Sequence, residues 1–281
     1  MTTTTNSSST TGTPEDQALK AKHAALWASG SYATVADEVV WGLGGILVEA
    51  VDAKPGQRVL DVAAGTGSSA IPAARRGADV VATDLTPELV EIGRAAAEAE
   101  GLVAHWRTAD AEALPFPDDG FDTVISAIGV MFAPHHQAAA DELVRVCRPG
   151  GTIGVLSWTP QGFIGQLFAT MKPFAPAPPP GASPAPLWGS SDHVRGLFGD
   201  RVSDLVARPA DLRVDRFEDG AEFRDFMKQH YGPTIAVYKF IADDAEKVAA
   251  LDADIAALGD RFLDADGVMD WEYLLVTARK A

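Results

Sequence analysis

The chain is predicted to be an α/β protein: a mostly parallel sheet in an α/β/α sandwich, with a helical N-terminal cap and an inserted lid region. Three observations predict it. Short β-branched runs alternate with helical patterns from Arg58 to Trp158. The first run, "RVLDVAAGTGSSA", stops in a glycine turn of the kind that carries a strand into a helix. Beyond Trp158 the alternation lapses into "KPFAPAPPPGASPAPLWG", too rich in proline for a helix or a central strand.

The elements follow in order. "MTTTTNSSSTTGTPED" is Ser/Thr-rich low complexity, and residues 1–15 are expected to be a disordered tail. Residues 16–53 form the helical cap, with Leu19, Trp27, Val35, Val39, Leu43 and Leu47 on roughly helical spacing broken near Gly30. Residues 54–158 form the core. "RVLDVA" is a strand, "SSAIPAARRG" a helix closed by Gly77, and "ADVVATD" the next strand. "TPELVEIGRAAAEAEG" has Thr86 as N-cap, Pro87 at the first helical position and Gly101 at its end. "VAHWRTAD" and "FDTVISAIGV" are strands; "HQAAADELVRVCRPGG" is a helix with a Pro-Gly-Gly stop, and "TIGVLSW" is the fifth strand. Residues 159–200 are the proline-rich insertion, expected to act as a lid. Residues 201–281 return to the core with a strand at "VARPADLRVDRF", two amphipathic helices and a last strand, "WEYLLVTARK".

The chain has 281 residues, a formal net charge of −16 and one cysteine, Cys147. So acidic a chain repels phosphate backbones and anionic membranes, which argues against nucleic acid as a partner. A single cysteine allows no internal disulfide and suits a cytoplasmic location. No basic, apolar leader opens the sequence, and no uncharged apolar run is long enough to span a bilayer.

The glycine turn fits two cofactors. Gly65-x-Gly67-x-x-Ala70 satisfies the relaxed dinucleotide fingerprint, and Asp84 lies about 20 residues on, where that fingerprint places an acid on the ribose. Asp61 separates the two readings. It ends the first strand, where a dinucleotide rests its pyrophosphate, and a carboxylate there repels phosphate. S-adenosylmethionine (SAM) has no phosphate but carries an ammonium and a sulfonium. Asp84 suits the ribose of either cofactor. Asp110, after the third strand, can accept a hydrogen bond from an adenine amino group.

In "VLDVAAGTG", "VVATDLTPELV", "ADAEALPFPDDGFDTVIS" and "ELVRVCRPGG", in that order, the sequence resembles the class I SAM-dependent methyltransferases of the ubiquinone/menaquinone-biosynthesis type. The resemblance covers about Lys54 to Trp158. It implies a Rossmann-like seven-stranded sheet whose last strand is antiparallel. It also implies site roles. Asp61 meets the methionine ammonium. Ala63, Gly65, Thr66 and Gly67 bring the backbone to the cofactor. Asp84 takes the ribose hydroxyls and Leu85 packs on adenine. Asp110 and Ala111 face the adenine edge, Ser126 and Met131 line the methionine end, and Tyr32 closes over the carboxylate.

His135 and His136 follow the fourth strand, near the expected methyl acceptor, and histidine is a natural general base. Trp27, Trp41, Phe132, Trp158, Phe163 and Tyr231 gather in the cap and inserted regions and are candidates for an acceptor pocket, against core packing as the commoner fate of aromatics. Asp118 and Asp119 read as a surface turn, and no metal site is expected. The expected activity is methyl transfer from SAM to an oxygen, nitrogen or carbon nucleophile of a small, largely apolar molecule, aromatic ones included. The alternatives are a nicotinamide- or flavin-dependent oxidoreductase and a non-catalytic SAM-binding protein. Oligomeric state is not legible.

Overall fold

The computed structural model describes residues 13–281. The expected tail thus lies outside the described residues up to residue 12. Its last part is ordered: Thr13 caps the first helix, its hydroxyl accepting from the Asp16 amide at 3.2 Å. The cap comprises α1 (Pro14–Trp27), a short α2 (Tyr32–Val35) that continues into a π turn (Ala36–Val40), and α3 (Gly42–Ala50).

The core then alternates: β1 (Arg58–Val62), α4 (Ala70–Arg75), β2 (Asp79–Asp84), α5 (Pro87–Ala99), β3 (Ala104–Thr108), β4 (Phe121–Ala127), α6 (His136–Val146) and β5 (Cys147–Trp158). The remainder is α7 (Phe163–Met171), α8 (Ser191–Phe198), β6 (Val202–Val214), α9 (Gly220–His230), α10 (Gly232–Phe240), α11 (Ala245–Phe262) and β7 (Met269–Lys280). The seven strands form one sheet in the order β3-β2-β1-β4-β5-β7-β6. β1 to β5 run parallel, and β7 is antiparallel to both β5 and β6. This is the Rossmann-like methyltransferase arrangement with a reversed last strand.

Two features of this order place the site. Right-handed crossovers put α4 and α5 on one face of the sheet. The chain then turns back at β4, so the α6 crossover covers the other face. The reversal lies between β1 and β4, and ligands of such sheets sit past the carboxyl ends of the strands at that point. β1 and β4 are buried along nearly their whole length, as strands covered on both faces must be.

The insertion departs from expectation. Residues 159–200 hold two α-helices joined by 3₁₀ turns, and Phe163, Trp188 and Phe198 in this segment are fully buried. Phe163 packs against Phe223, Phe262 and Trp271. The proline-dense middle is mostly exposed. Through these side chains the segment extends the core over β5 and β7.

Candidate active site

A cleft opens at the carboxyl ends of β1 to β4. Its floor is the turn after β1, Ala63 to Thr66 with Ser68. One wall is Asp84 and Leu85 after β2, with Asp110 and Ala111 after β3. The other wall is Ala127 to Gly129 after β4, and the cap closes it with Lys20, His23, Trp27 and Tyr32. A narrow uncharged pocket adjoins it and shares Trp27, Tyr32, Ile128 and Phe132. Its far side is Trp158, Ile164, Met227, Tyr231 and Trp271.

The turn is built by backbone hydrogen bonds and by one carboxylate. Asp84 Oδ2 accepts from the Gly65 amide at 2.9 Å, and its Oδ1 accepts from the Thr86 amide at 2.8 Å. The Leu85 amide and the Thr86 hydroxyl also favour its charged form. The residue expected to hold a ribose therefore also anchors the glycine turn. Gly67 does not line the cleft. It is glycine because its φ is +99° and a Cβ would fall 2.8 Å from the Trp106 ring, so its role is steric. Ala63 and Ile128 hold φ of +55° and +63° on the cleft wall. Such values are uncommon outside glycine, most of all for the β-branched Ile128, and cost about 1–3 kcal/mol each. The Ile128 amide is held by the Leu156 carbonyl at 2.7 Å.

Asp61 lies beneath the turn and is 1 % exposed. Neither of its oxygens has a hydrogen-bond partner among the described residues, and only the Ala70 amide favours its charged form. Burial, with the nearby Asp84 charge, pushes its pKa well above the carboxylate range. Burial likewise raises Asp84, against the amides it accepts from. Among the described residues no cation offsets this burial at either acid, so a cation bound there would favour their charged forms.

The cap meets the adenine-side wall through charge. Lys20 Nζ lies 2.5 Å from Asp110, 2.8 Å from Glu112 and 3.2 Å from Asp16. Burial alone would lower its pKa; its bonds to Asp110 and Glu112 outweigh that and raise it. Asp16, Glu112 and His135 lie close enough together to ligate a metal, and Lys20 already supplies a cation to two of the three. Lys20 and His23 were missed from the sequence. Their spacing on α1 was the available signal, but nothing local said that this face meets Asp110.

The two histidines stand away from both cavities. His135 Nδ1 is 2.9 Å from Glu112. His136 begins α6 and turns inward: it is 2 % exposed, its Nδ1 is 3.0 Å from His193 Nε2, and its ring lies against Trp188. Burial first, and then His193, lowers its pKa to about 4. A general base facing the acceptor needs an imidazole on the cavity wall, and neither is there. Ser126 and Met131 are fully buried and line neither cavity; the Ser126 hydroxyl donates to the Val62 carbonyl at 2.6 Å and accepts from the Val130 amide. Trp41 and Phe163 also line neither cavity. Trp27, Tyr32, Phe132, Trp158 and Tyr231 do come together, with Trp27 edge-on to Tyr32, Phe132 and Tyr231 at 5.4, 4.7 and 5.8 Å between centroids. Asp118 and Asp119 form an exposed turn, paired with Arg145 and Lys280.

Residues 59–151 match the model of a methyltransferase domain. This stretch and its sheet make the chain a class I SAM-dependent methyltransferase. Within that class it belongs to one family with an uncharacterized protein of Mycobacterium tuberculosis (strain ATCC 25618 / H37Rv), 54% identical over 266 residues that cover 95% of this chain and 97% of the relative. A demethylmenaquinone methyltransferase of Thermus thermophilus is 44% identical over 119 residues, 41% of this chain and 54% of that one. The structure of a geranyl diphosphate methyltransferase in complex with SAM shares the fold, with a TM-score of 0.52 and 18% identity over 86% of this chain and 85% of that one. Among the described residues no helix is long and apolar enough to cross a membrane.

Proposed function

We propose that this protein transfers the sulfonium methyl of SAM to an oxygen, nitrogen or carbon nucleophile of a small, largely apolar molecule of aromatic or quinone type. The observation that carries the reading is the pairing of two unlike cavities through a shared aromatic wall. The cleft holds Asp84, Leu85, Asp110 and Ala111, suited to a nucleoside, above the unpaired Asp61. The inner cavity is uncharged and ringed by aromatics.

The residues fit SAM. Asp61 would hold the ammonium, directly or through water, and the cation would relieve a charge that burial otherwise opposes. Asp84 would take the ribose hydroxyls. Leu85 would pack on adenine, with Asp110 and Ala111 at its edge and the Ala63–Thr66 backbone beneath. Tyr32, Trp27 and Phe132 would stand between the cofactor and the acceptor. A dinucleotide fits less well, since its pyrophosphate would face the same two carboxylates.

When bound, SAM supplies an activated methyl group. The chain's part is to align the nucleophile and exclude water, and no side chain need take a proton in the transfer itself. The likeness of one segment to a demethylmenaquinone methyltransferase supports a quinone-like or phenolic acceptor. A SAM-consumption screen over phenols, quinones, indoles and amines tests the reading. Turnover confined to charged, polar acceptors would contradict it.

A further inference from the structure

The inner cavity has one chemical peculiarity. Among the residues that line it, the only ionisable side chains are Tyr32 and Tyr231. No hydrogen bond satisfies either phenol among the described residues. Tyr231 is 5 % exposed, at the junction of α9 and α10. The rings packed on it, Trp27 and Phe168, carry no charge. Neither oxygen is sealed off from accessible space, so both O–H groups are free to donate to a ligand that enters this apolar pocket.

The charge of that ligand follows from what surrounds it. A cationic amine would find no carboxylate on the cavity wall, and the bare desolvation of a charge is costly. An oxyanion fares differently. Two phenol O–H groups can donate to it, and a bound sulfonium would lie across the shared wall of Trp27, Tyr32, Ile128 and Phe132. Both phenols keep their protons. Burial and then the Asp84 charge push Tyr32 up to about 12, and burial with the nearby Tyr32 pushes Tyr231 higher still. They remain donors across the working range. The other ionisable groups nearby belong to the adjoining cleft: Lys20, His23, Asp84 and Asp110.

We infer that Tyr231 and Tyr32 form an oxyanion-selecting subsite, and that the acceptor is a flat apolar phenol or enol bound as its conjugate base. The inference deepens the proposed function and rests on it. It also accounts for the lack of an imidazole on the cavity wall, because the acceptor's proton has left to water before transfer. The oxyanion, or the carbon conjugated with it, then donates an electron pair to the methyl carbon, and the carbon–sulfur pair returns to sulfur. No oxidant or further reactant is needed. Tyr231 is a positioning and specificity residue in this scheme.

The test uses the full chain saturated with S-adenosylhomocysteine, which permits no turnover, and para-nitrophenol as the probe. Its visible absorbance reports ionisation directly. Bound to the wild-type protein, it is expected to ionise at lower pH than in free solution. Tyr231→Phe removes one oxygen from a packed ring and is expected to weaken phenolate binding about tenfold, moving the midpoint up by about one pKa unit. The neutral isostere para-nitroanisole is expected to bind more weakly than para-nitrophenol and alike to both proteins. Equal midpoints in wild type and variant would overturn the inference. So would tighter binding of the anisole, or no saturable binding of the phenol. Calorimetry of S-adenosylhomocysteine separates the two readings: no binding to the wild type fails the methyltransferase site as well, whereas normal binding with an unshifted midpoint fails the oxyanion subsite alone.

Discussion

Asp61→Asn should make the free protein more stable and its cofactor binding worse. The side chain is 1 % exposed and neither oxygen is satisfied among the described residues. Its folded-state pKa is raised, chiefly by burial. An acid whose folded pKa is raised holds its proton more tightly in the folded state. Stability contributed by the neutral form is present below the unfolded pKa and is lost as pH rises through the folded value. At neutral pH the wild type therefore bears the cost of an unsatisfied acid, on the order of 1–3 kcal/mol. An amide of the same shape removes the pH-dependent part. The expected gain is about 2–4 °C in Tm per kcal/mol for a domain of this size, seen near neutral pH and vanishing toward about pH 4. The cofactor loses a charge-assisted contact to its ammonium, roughly 1.5–3 kcal/mol, or about ten- to a hundredfold in affinity. Thermal melts across pH and calorimetry with SAM measure the two effects on one variant. An unchanged Kd would refute the assignment of Asp61 to the ammonium, and lower stability at neutral pH would refute the account of its burial.

Three other outcomes follow from the geometry. His135→Ala and His136→Ala should each lower kcat by less than about tenfold at saturating substrates, against the 10²–10⁴ range for a positioned base; a larger loss in either would restore general-base catalysis. Because the His136 pKa is lowered to about 4, the folded state resists its protonation, so stability should fall as pH drops from about 6.5 toward 4, by up to about 3 kcal/mol from this residue. Urea denaturation of His136→Asn should show a flatter acid limb, and an unaltered limb would place the titration elsewhere. Gly129→Ala would put a Cβ 2.1 Å from the Ala63 carbonyl oxygen, which only backbone movement can relieve. It should destabilise by several kcal/mol and abolish cofactor binding, read by denaturation and calorimetry; a variant of wild-type stability would mean that the β1 and β4 turns are not locked together.

The first five strands were legible because each carries its own punctuation. β1 stops at a glycine turn, α5 opens on Thr-Pro, and β-branched runs fill the sheet positions. The Gly65, Asp84, Asp110 side of the cleft was legible for the same reason, since those residues lie at strand ends in a fixed order. α7 was not. "FIGQLFATM" is a short apolar run, and periodicity cannot tell a buried helix from a buried strand at that length. α10 was hidden by Gly232-Pro233, which reads as a turn but serves as a helix start with proline at an early position. The inward turn of His136 depends on His193 and Trp188, more than 50 residues away, and no local pattern carries it. The Lys20–Asp110 contact is of the same kind. The aromatic cavity was visible as a list of residues but not as a place. Trp27, Tyr32, Phe132, Trp158 and Tyr231 converge through tertiary packing, while Trp41 and Phe163, of similar character, pack elsewhere.

Cofactor choice is the point on which the whole account turns, and titration calorimetry of the purified full chain measures it directly. The buried pair Asp61 and Asp84 beneath the glycine turn should admit SAM and S-adenosylhomocysteine with measurable heat and saturable stoichiometry, and should give no signal with NAD. Tight NAD binding with no response to SAM would contradict the assignment of the cleft and everything derived from it.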